Sequence, residues 1–238
     1  MVNTRAIPNG FDTSLPGTPL SCWEALERPH WNPQQLALIV VAPHPDDETL
    51  GAGGLIHHYA RHQLRVTVLS VTDGEAACPE VTDLAHRRRA ELRAALATLG
   101  AHRAQIIRLG LLDGRVDADS TKLLEALRSV ASPDSLIAAP FEQDGHPDHD
   151  ATGRVAREIA DEQGLTLAAY PIWAWHQAVP EAFSGRRMVS LPLDPEAQIA
   201  KRNAIHCYVS QLSERTGGPI LPSHVLAYFD RPYETYLL

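Results

Sequence analysis

The chain has 238 residues, 44% of them hydrophobic, and 21 Lys+Arg against 29 Asp+Glu give a formal net charge of -8. That length buries one substantial core rather than two. The negative balance excludes a nucleic-acid-sized basic footprint, since the run Arg87, Arg88 and Arg89 is too short to outweigh it. Pro8, Asn9, Asp12, Pro16 and Pro19 interrupt every apolar stretch of a secretory leader, and the longest apolar run, 36–43, is too short to span a bilayer. Cys22, Cys78 and Cys207 lie far apart without CxxC spacing, against a disulfide framework or a thiolate metal site and in favour of a cytoplasmic, reducing location.

Residues 1–35 are rich in Pro, Asn, Ser and Thr and are expected to form an irregular N-terminal extension on a single domain, 36–238. Strands are predicted at 36–42, 65–71, 105–109 and 136–139, from continuous or alternating apolar runs. Helices are predicted at 49–62, 82–99 and 120–130, the second ending at Gly100. A helix at 151–163, strands at 165–170 and 187–193, and a helix at 195–208 follow, leaving a weakly patterned C-terminal tail. The alternation predicts an α/β fold: a doubly wound, mostly parallel, Rossmann-like sheet with helices on both faces and its chemistry at the carboxyl ends of the strands.

Two segments stand out there. Ala42-Pro43-His44-Pro45-Asp46-Asp47-Glu48 follows the first strand, and Gly145-His146-Pro147-Asp148-His149-Asp150 follows the fourth. Both contain His-Pro-Asp, a tripeptide that chance places well under once in a chain of this composition. If the two strands are neighbours, both motifs face one crevice, and imidazole with carboxylate but no thiolate is the donor set of a catalytic zinc site with an open position. His44, Asp47 and His149 are the expected metal ligands. Asp46 is left as a nearby free carboxylate, suited to general base; His146 is placed to stabilise an oxyanion and help protonate the leaving amine, with Asp148 as its orienting partner. A lone acidic cluster at a helix start more often complements the helix dipole, but the second motif reverses that reading. Two histidines and one aspartate also accept Fe2+.

Other motifs fail on single residues. Gly51-Ala52-Gly53-Gly54-Leu55-Ile56 follows a strand, but Ile56 replaces the last glycine of a dinucleotide loop. No Gly-x-Ser-x-Gly elbow or His-Glu-x-x-His helix occurs. Trp173 and Trp175 lie on the same side of an extended stretch, and Trp175 is the candidate for stacking on a sugar face, the alternative being core packing.

The two motifs resemble the signatures of the LmbE/PIG-L deacetylases, His-Pro-Asp-Asp-Glu after a strand and a later His-Pro-Asp-His. Thr72-Asp73-Gly74-Glu75, Arg88-Arg89-Ala90-Glu91 with Leu99-Gly100, 109–114 with Asp113, and Lys201-Arg202 through Ser210-Gln211 also look like family landmarks in family order. The resemblance implies zinc-dependent hydrolysis of an N-acetyl group on a small amino-sugar-like substrate, with Arg88 and Asp113 as contacts to its hydroxyls or phosphate. A longer acyl group or a thiol conjugate as substrate, and a metal-containing binding module without activity, are the alternatives. A homo-oligomer is compatible with all three. The chain departs from the pattern at Asp144, where some members carry a tyrosine that assists the oxyanion; Asp144 is expected to point outward or to meet an amine of a cationic substrate.

Overall fold

The computed structural model describes residues 17–78, 80–213 and 218–238. Seven strands, β1 (Ala37–Ala42), β2 (Arg65–Thr72), β3 (Gln105–Leu111), β4 (Ser135–Pro140), β5 (Thr166–Tyr170), β6 (Met188–Pro192) and β7 (Tyr233–Leu237), form one sheet in the order β3-β2-β1-β4-β5-β7-β6. The first five run parallel, and β7 is antiparallel to both its neighbours. The helices are α1 (Leu20–Glu24), α2 (Asp47–Arg61), α3 (Leu84–Thr98), α4 (Ser120–Val130), α5 (Pro147–Gln163), α6 (Ala174–Gln177) and α7 (Pro195–Ile205), followed by the one-turn helices Val209–Leu212 and Ser223–Leu226. β1 and β4 are buried at every position because helices cover both faces of the sheet, which is why their sequences are continuous apolar runs rather than alternating ones. β3, at the edge, is the least buried of the parallel strands, with Gln105 and Arg108 exposed.

β7 is the element absent from the sequence expectation. Its Glu234 and Thr235 are buried, so its pattern does not read as an apolar strand. The reason lies in α2, whose backbone leaves helical geometry at Ala52 (φ -138°, ψ 19°). The break frees amides of the second half, and the Glu234 carboxylate accepts from Gly54 N at 2.6 Å and Leu55 N at 2.9 Å, as a capping carboxylate does at a helix start. Lys201 of α7, buried alongside, pairs with Glu234 at 2.6 Å, and the Tyr236 hydroxyl donates to it at 2.7 Å. The glycines that resemble a nucleotide loop serve this packing. A Cβ on Gly51 would overlap the Tyr170 ring, whose hydroxyl is tied to Val41 O at 2.7 Å. Gly51→Ala is therefore expected to cost about 1–3 kcal/mol through overpacking, read as a fall in Tm of roughly 2–4 °C per kcal/mol in thermal unfolding; an unchanged melting curve would show that Tyr170 can yield.

Of the N-terminal stretch, residues 1–16 lie outside the described residues. The remainder packs on the domain: Trp23 is fully buried against Trp175 and Phe183, and the amide of Trp31 donates to Ser190 O of β6. Among the described residues no helix is long and apolar enough to cross a membrane, and the three cysteines are unpaired.

Candidate active site

β1 and β4 are adjacent and in parallel register, so the two His-Pro-Asp segments leave the sheet side by side at its carboxyl edge and enter α2 and α5. Asp46 adopts φ 135°, ψ -31°, a backbone conformation costly for a residue other than glycine. It separates two neighbouring carboxylates into different directions. Asp47 turns toward the histidines, while Asp46 turns toward Arg88 (Oδ2 to Nη2, 3.1 Å).

Three donor atoms form a nearly equilateral triangle. His44 Nδ1 lies 3.2 Å from Asp47 Oδ2, His149 Nε2 lies 3.2 Å from the same oxygen, and the two nitrogens are 3.3 Å apart. Donors bound tetrahedrally at about 2.0–2.1 Å from one ion must stand about 3.3 Å apart, so the triangle fits a divalent cation with His44, Asp47 and His149 as donors. The outer nitrogens are engaged in the way such ligands need. His44 Nε2 meets Asp113 Oδ1 at 3.1 Å and Asp148 Oδ2 at 3.2 Å, and His149 Nδ1 meets Asp144 Oδ2 at 2.8 Å. Facing carboxylates favour the proton on these nitrogens, which leaves His44 Nδ1 and His149 Nε2 as the atoms that could hold an ion.

The electrostatics follow from burial and crowding. Burial raises the Asp46 carboxyl, with Arg88 opposing and Asp47 reinforcing, to about 7. Asp47 is held well below the carboxylate range: its burial is outweighed by the charges and hydrogen bonds of His149 and His44. His149 is pushed up to about 9, burial being overcome by Asp47 and Asp144, and His44 is raised by Asp113, Asp148 and Asp47 against its own burial. The acidic surround that favours protons on these rings also attracts a cation. His146 goes the other way, down to about 2, through burial first and then repulsion by His149 and His44.

Several expected roles are relocated. The Asp148 carboxylate, expected to orient His146, accepts from Gly114 N at 2.7 Å and Val116 N at 3.1 Å and turns its Oδ2 to His44; its bond to His146 runs from its backbone amide to His146 Nδ1, 3.2 Å. That bond makes Nδ1 an acceptor and leaves the proton on Nε2, so His146 is a neutral N–H donor here, suited to an oxyanion but not to the protonation of a leaving amine expected of it. Arg88 lines the cleft but donates to Pro45 O at 2.6 Å and Gly74 O at 3.1 Å besides pairing with Asp46, so its guanidinium fixes the motif loop. Gly74, at φ 64°, makes room: a Cβ there would overlap Arg88 Nη1. Asp113 also borders the cleft, accepting from Ala76 N at 2.9 Å while holding His44.

Trp175 is no cleft residue. It is 2% exposed, packed against Trp23 and Phe183, with the Arg231 guanidinium 4.4 Å from its ring; Trp173 is the tryptophan that faces the cleft. Asp144 points inward, at 1% exposure, accepting from the amides of 172, 173 and 174 as well as from His149. The expectation of an outward or substrate-facing Asp144 is thereby corrected. The cleft, of about 580 Å³ including its open mouth, is completed by residues the sequence did not flag: Leu50, Ile172, Ile220, Leu221 and the small Ala76 and Ala77. Glu48, last of the first motif, is fully buried and bonded to Tyr208, Thr49 and the amide of Asp46, and so braces the strained turn.

An open α/β sheet with a His/Asp/His cluster suited to a divalent ion at the ends of its central strands defines the class. The family of GlcNAc-PI de-N-acetylases, PIG-L, matches residues 39–160, and the chain belongs to it. It is 34% identical over 149 residues to a 1D-myo-inositol 2-acetamido-2-deoxy-alpha-D-glucopyranoside deacetylase of Mycobacterium sp. (strain KMS), covering 50% of this chain and 48% of that protein. The chain thus spans about half the length of the curated relatives it matches. In structure it is similar to a conserved protein from Thermus thermophilus (TM-score 0.60, 29% identity, 81% of this chain and 84% of that one). It shares its fold with N,N'-diacetylchitobiose deacetylase from Pyrococcus horikoshii (TM-score 0.58, 21% identity, 82% and 74%).

Proposed function

We propose that the chain is a zinc-dependent amide hydrolase that removes an N-acyl group, acetyl in the first place, from an amino-sugar or related conjugate, releasing a carboxylate and a free amine. The observation that carries this reading is the donor triangle of His44, Asp47 and His149 with an unligated carboxylate, Asp46, lining the same cleft. The family and the names of the relatives support the acyl-amide class.

A bound divalent ion supplies Lewis acidity that acidifies water and polarises the amide carbonyl. Asp46, with its proton affinity raised close to neutrality, accepts the proton of the attacking water and is matched in strength to pass it to the leaving nitrogen. Arg88 holds that carboxylate in place without leaving the protein interior. His146 presents Nε2–H to the developing oxyanion, a donor that needs no proton transfer to act. Asp113, Asp148 and Asp144 keep the ligating rings in the required tautomers. Ile172, Trp173, Ile220 and Leu221 give the cleft an apolar wall that limits water around the reacting amide.

The test is metal content of the purified protein by mass spectrometry, together with acetate release from N-acetylglucosamine conjugates before and after chelation. About one zinc per chain and chelator-sensitive release are expected. Metal without acetate release, but with release of longer acids from a panel of acyl lengths, transfers the reading to a longer-acyl amidase. A zinc-reconstituted protein that retains no metal removes it.

A further inference from the structure

Asp144 has two unrelated sets of partners. Its Oδ2 meets the outer nitrogen of metal-ligand candidate His149 at 2.8 Å and accepts from Trp173 N at 3.0 Å; its Oδ1 accepts from Ile172 N at 2.8 Å and Ala174 N at 3.0 Å. Four donors converge on two oxygens in a place almost sealed from water. Ile172 and Trp173, whose amides are gathered there, are also part of the cleft wall.

From this geometry we propose that Asp144 is a positioning residue that orients His149 toward the ion and, with the same carboxylate, sets the substrate-facing turn 172–174, so that metal centre and pocket wall are built on one group. The proposal rests on the metal-site reading for its first half only. A carboxylate has acceptor capacity alone, so it compels His149 to carry its proton on Nδ1 and to present Nε2 to the ligand triangle. The three successive amides run from the turn after β5 into Ala174, the first residue of α6, and the carboxylate takes the place of the backbone carbonyls that a regular element would offer them.

Two variants separate the halves. In Asp144→Asn the side-chain oxygen has two placements. Facing Ile172 and Ala174, it leaves the NH2 opposed to one amide, that of Trp173, and opposite a ring that can shift its tautomer to accept. Facing His149, it opposes the NH2 to two amides that cannot accept. The first placement is favoured, and it moves the His149 proton to Nε2, the ligating atom. Asp144→Asn is therefore expected to lower zinc affinity about 10–100-fold, the usual effect of losing an outer partner of a ligating histidine. Its 172 and 174 amides should remain slow in hydrogen exchange. Asp144→Ala is expected to lose both, with exchange at 172–174 at least about tenfold faster and a raised KM, since no acceptor is left.

The measurements are zinc affinity by competition with a chromophoric chelator, hydrogen exchange of the 172–174 segment, and the 15N shifts of the His149 ring, each on wild type and both variants after far-ultraviolet circular dichroism has matched their folds. If Asp144→Ala binds zinc within twofold of wild type, or its 172–174 amides exchange as slowly, the proposal is overturned. Should Asp144→Ala fail to fold, the Asn variant decides: wild-type zinc affinity with an Nδ1-protonated His149 overturns it. If wild type itself holds no zinc while 172–174 open in Asp144→Ala, the functional reading fails and the wall-setting half stands.

Discussion

Asp46→Asn is expected to lower kcat by about 10²–10⁴-fold, the usual contribution of a positioned general base, while metal content stays at that of wild type, because the ligand triangle does not include Asp46. Asn is the better probe than Ala, since it keeps the side-chain volume and an oxygen for the Arg88 guanidinium. The pH profile supplies a second check. Asp46 must be ionised to accept a proton, and burial has raised it to about 7, so kcat/KM falls as pH drops through its acid limb and is constant above it. A bound cation beside the carboxylate favours its anion, which draws the limb below 7. The residual activity of Asp46→Asn should lack this limb. Persistence of the same limb in the variant would assign it to another group and take the base role from Asp46.

The second large effect is on the ion itself. His149→Ala is expected to reduce retained zinc from about one per chain to a small fraction, with activity lost to the same extent, since two donors do not hold the ion against a chelator. Wild-type affinity should also depend on pH with a definite sign. His149 and His44 are both raised, His149 to about 9, and each must give up a proton from its ligating nitrogen for an ion to bind. Affinity therefore rises with pH through the range below the His149 value of about 9, approaching about tenfold per unit for each proton displaced. Zinc titrations at several pH values between about 6 and 9 measure this directly. A flat profile would place the ion on other atoms.

The candidate site was legible in one dimension because its residues are local. His44, Asp46 and Asp47 lie within four residues after a buried strand, and His146 and His149 three apart at the start of a helix, so strand-end position and spacing suffice to bring them to one edge of a parallel sheet. What fastens those groups in place was not legible. Asp148 turns to His44, 104 residues away, instead of to its near neighbour, and the Asp144 carboxylate reaches forward to 172–174; neither choice leaves a periodic trace. Asp113 and Arg88, carried over from resemblance as substrate contacts, are engaged with His44, Asp46 and backbone carbonyls.

The amino-acid sequence alone therefore determined the alternation of strands and helices, and singled out the candidate donors His44, Asp47 and His149 and the carboxylate Asp46 that the structure gathers at one place, from hydrophobic periodicity and short-range spacing. Only the tertiary structure decided that Trp173 and not Trp175 faces the cleft, that Asp144 turns inward, and that the segment Tyr233–Leu237 is an interior strand next to the sheet edge. The physical reason is common to all three. A buried polar group goes where unpaired donors are, and a large aromatic goes where a cavity matches its shape; both are set by residues distant in sequence, as Glu234 shows by capping a helix half that begins 180 residues earlier in the chain.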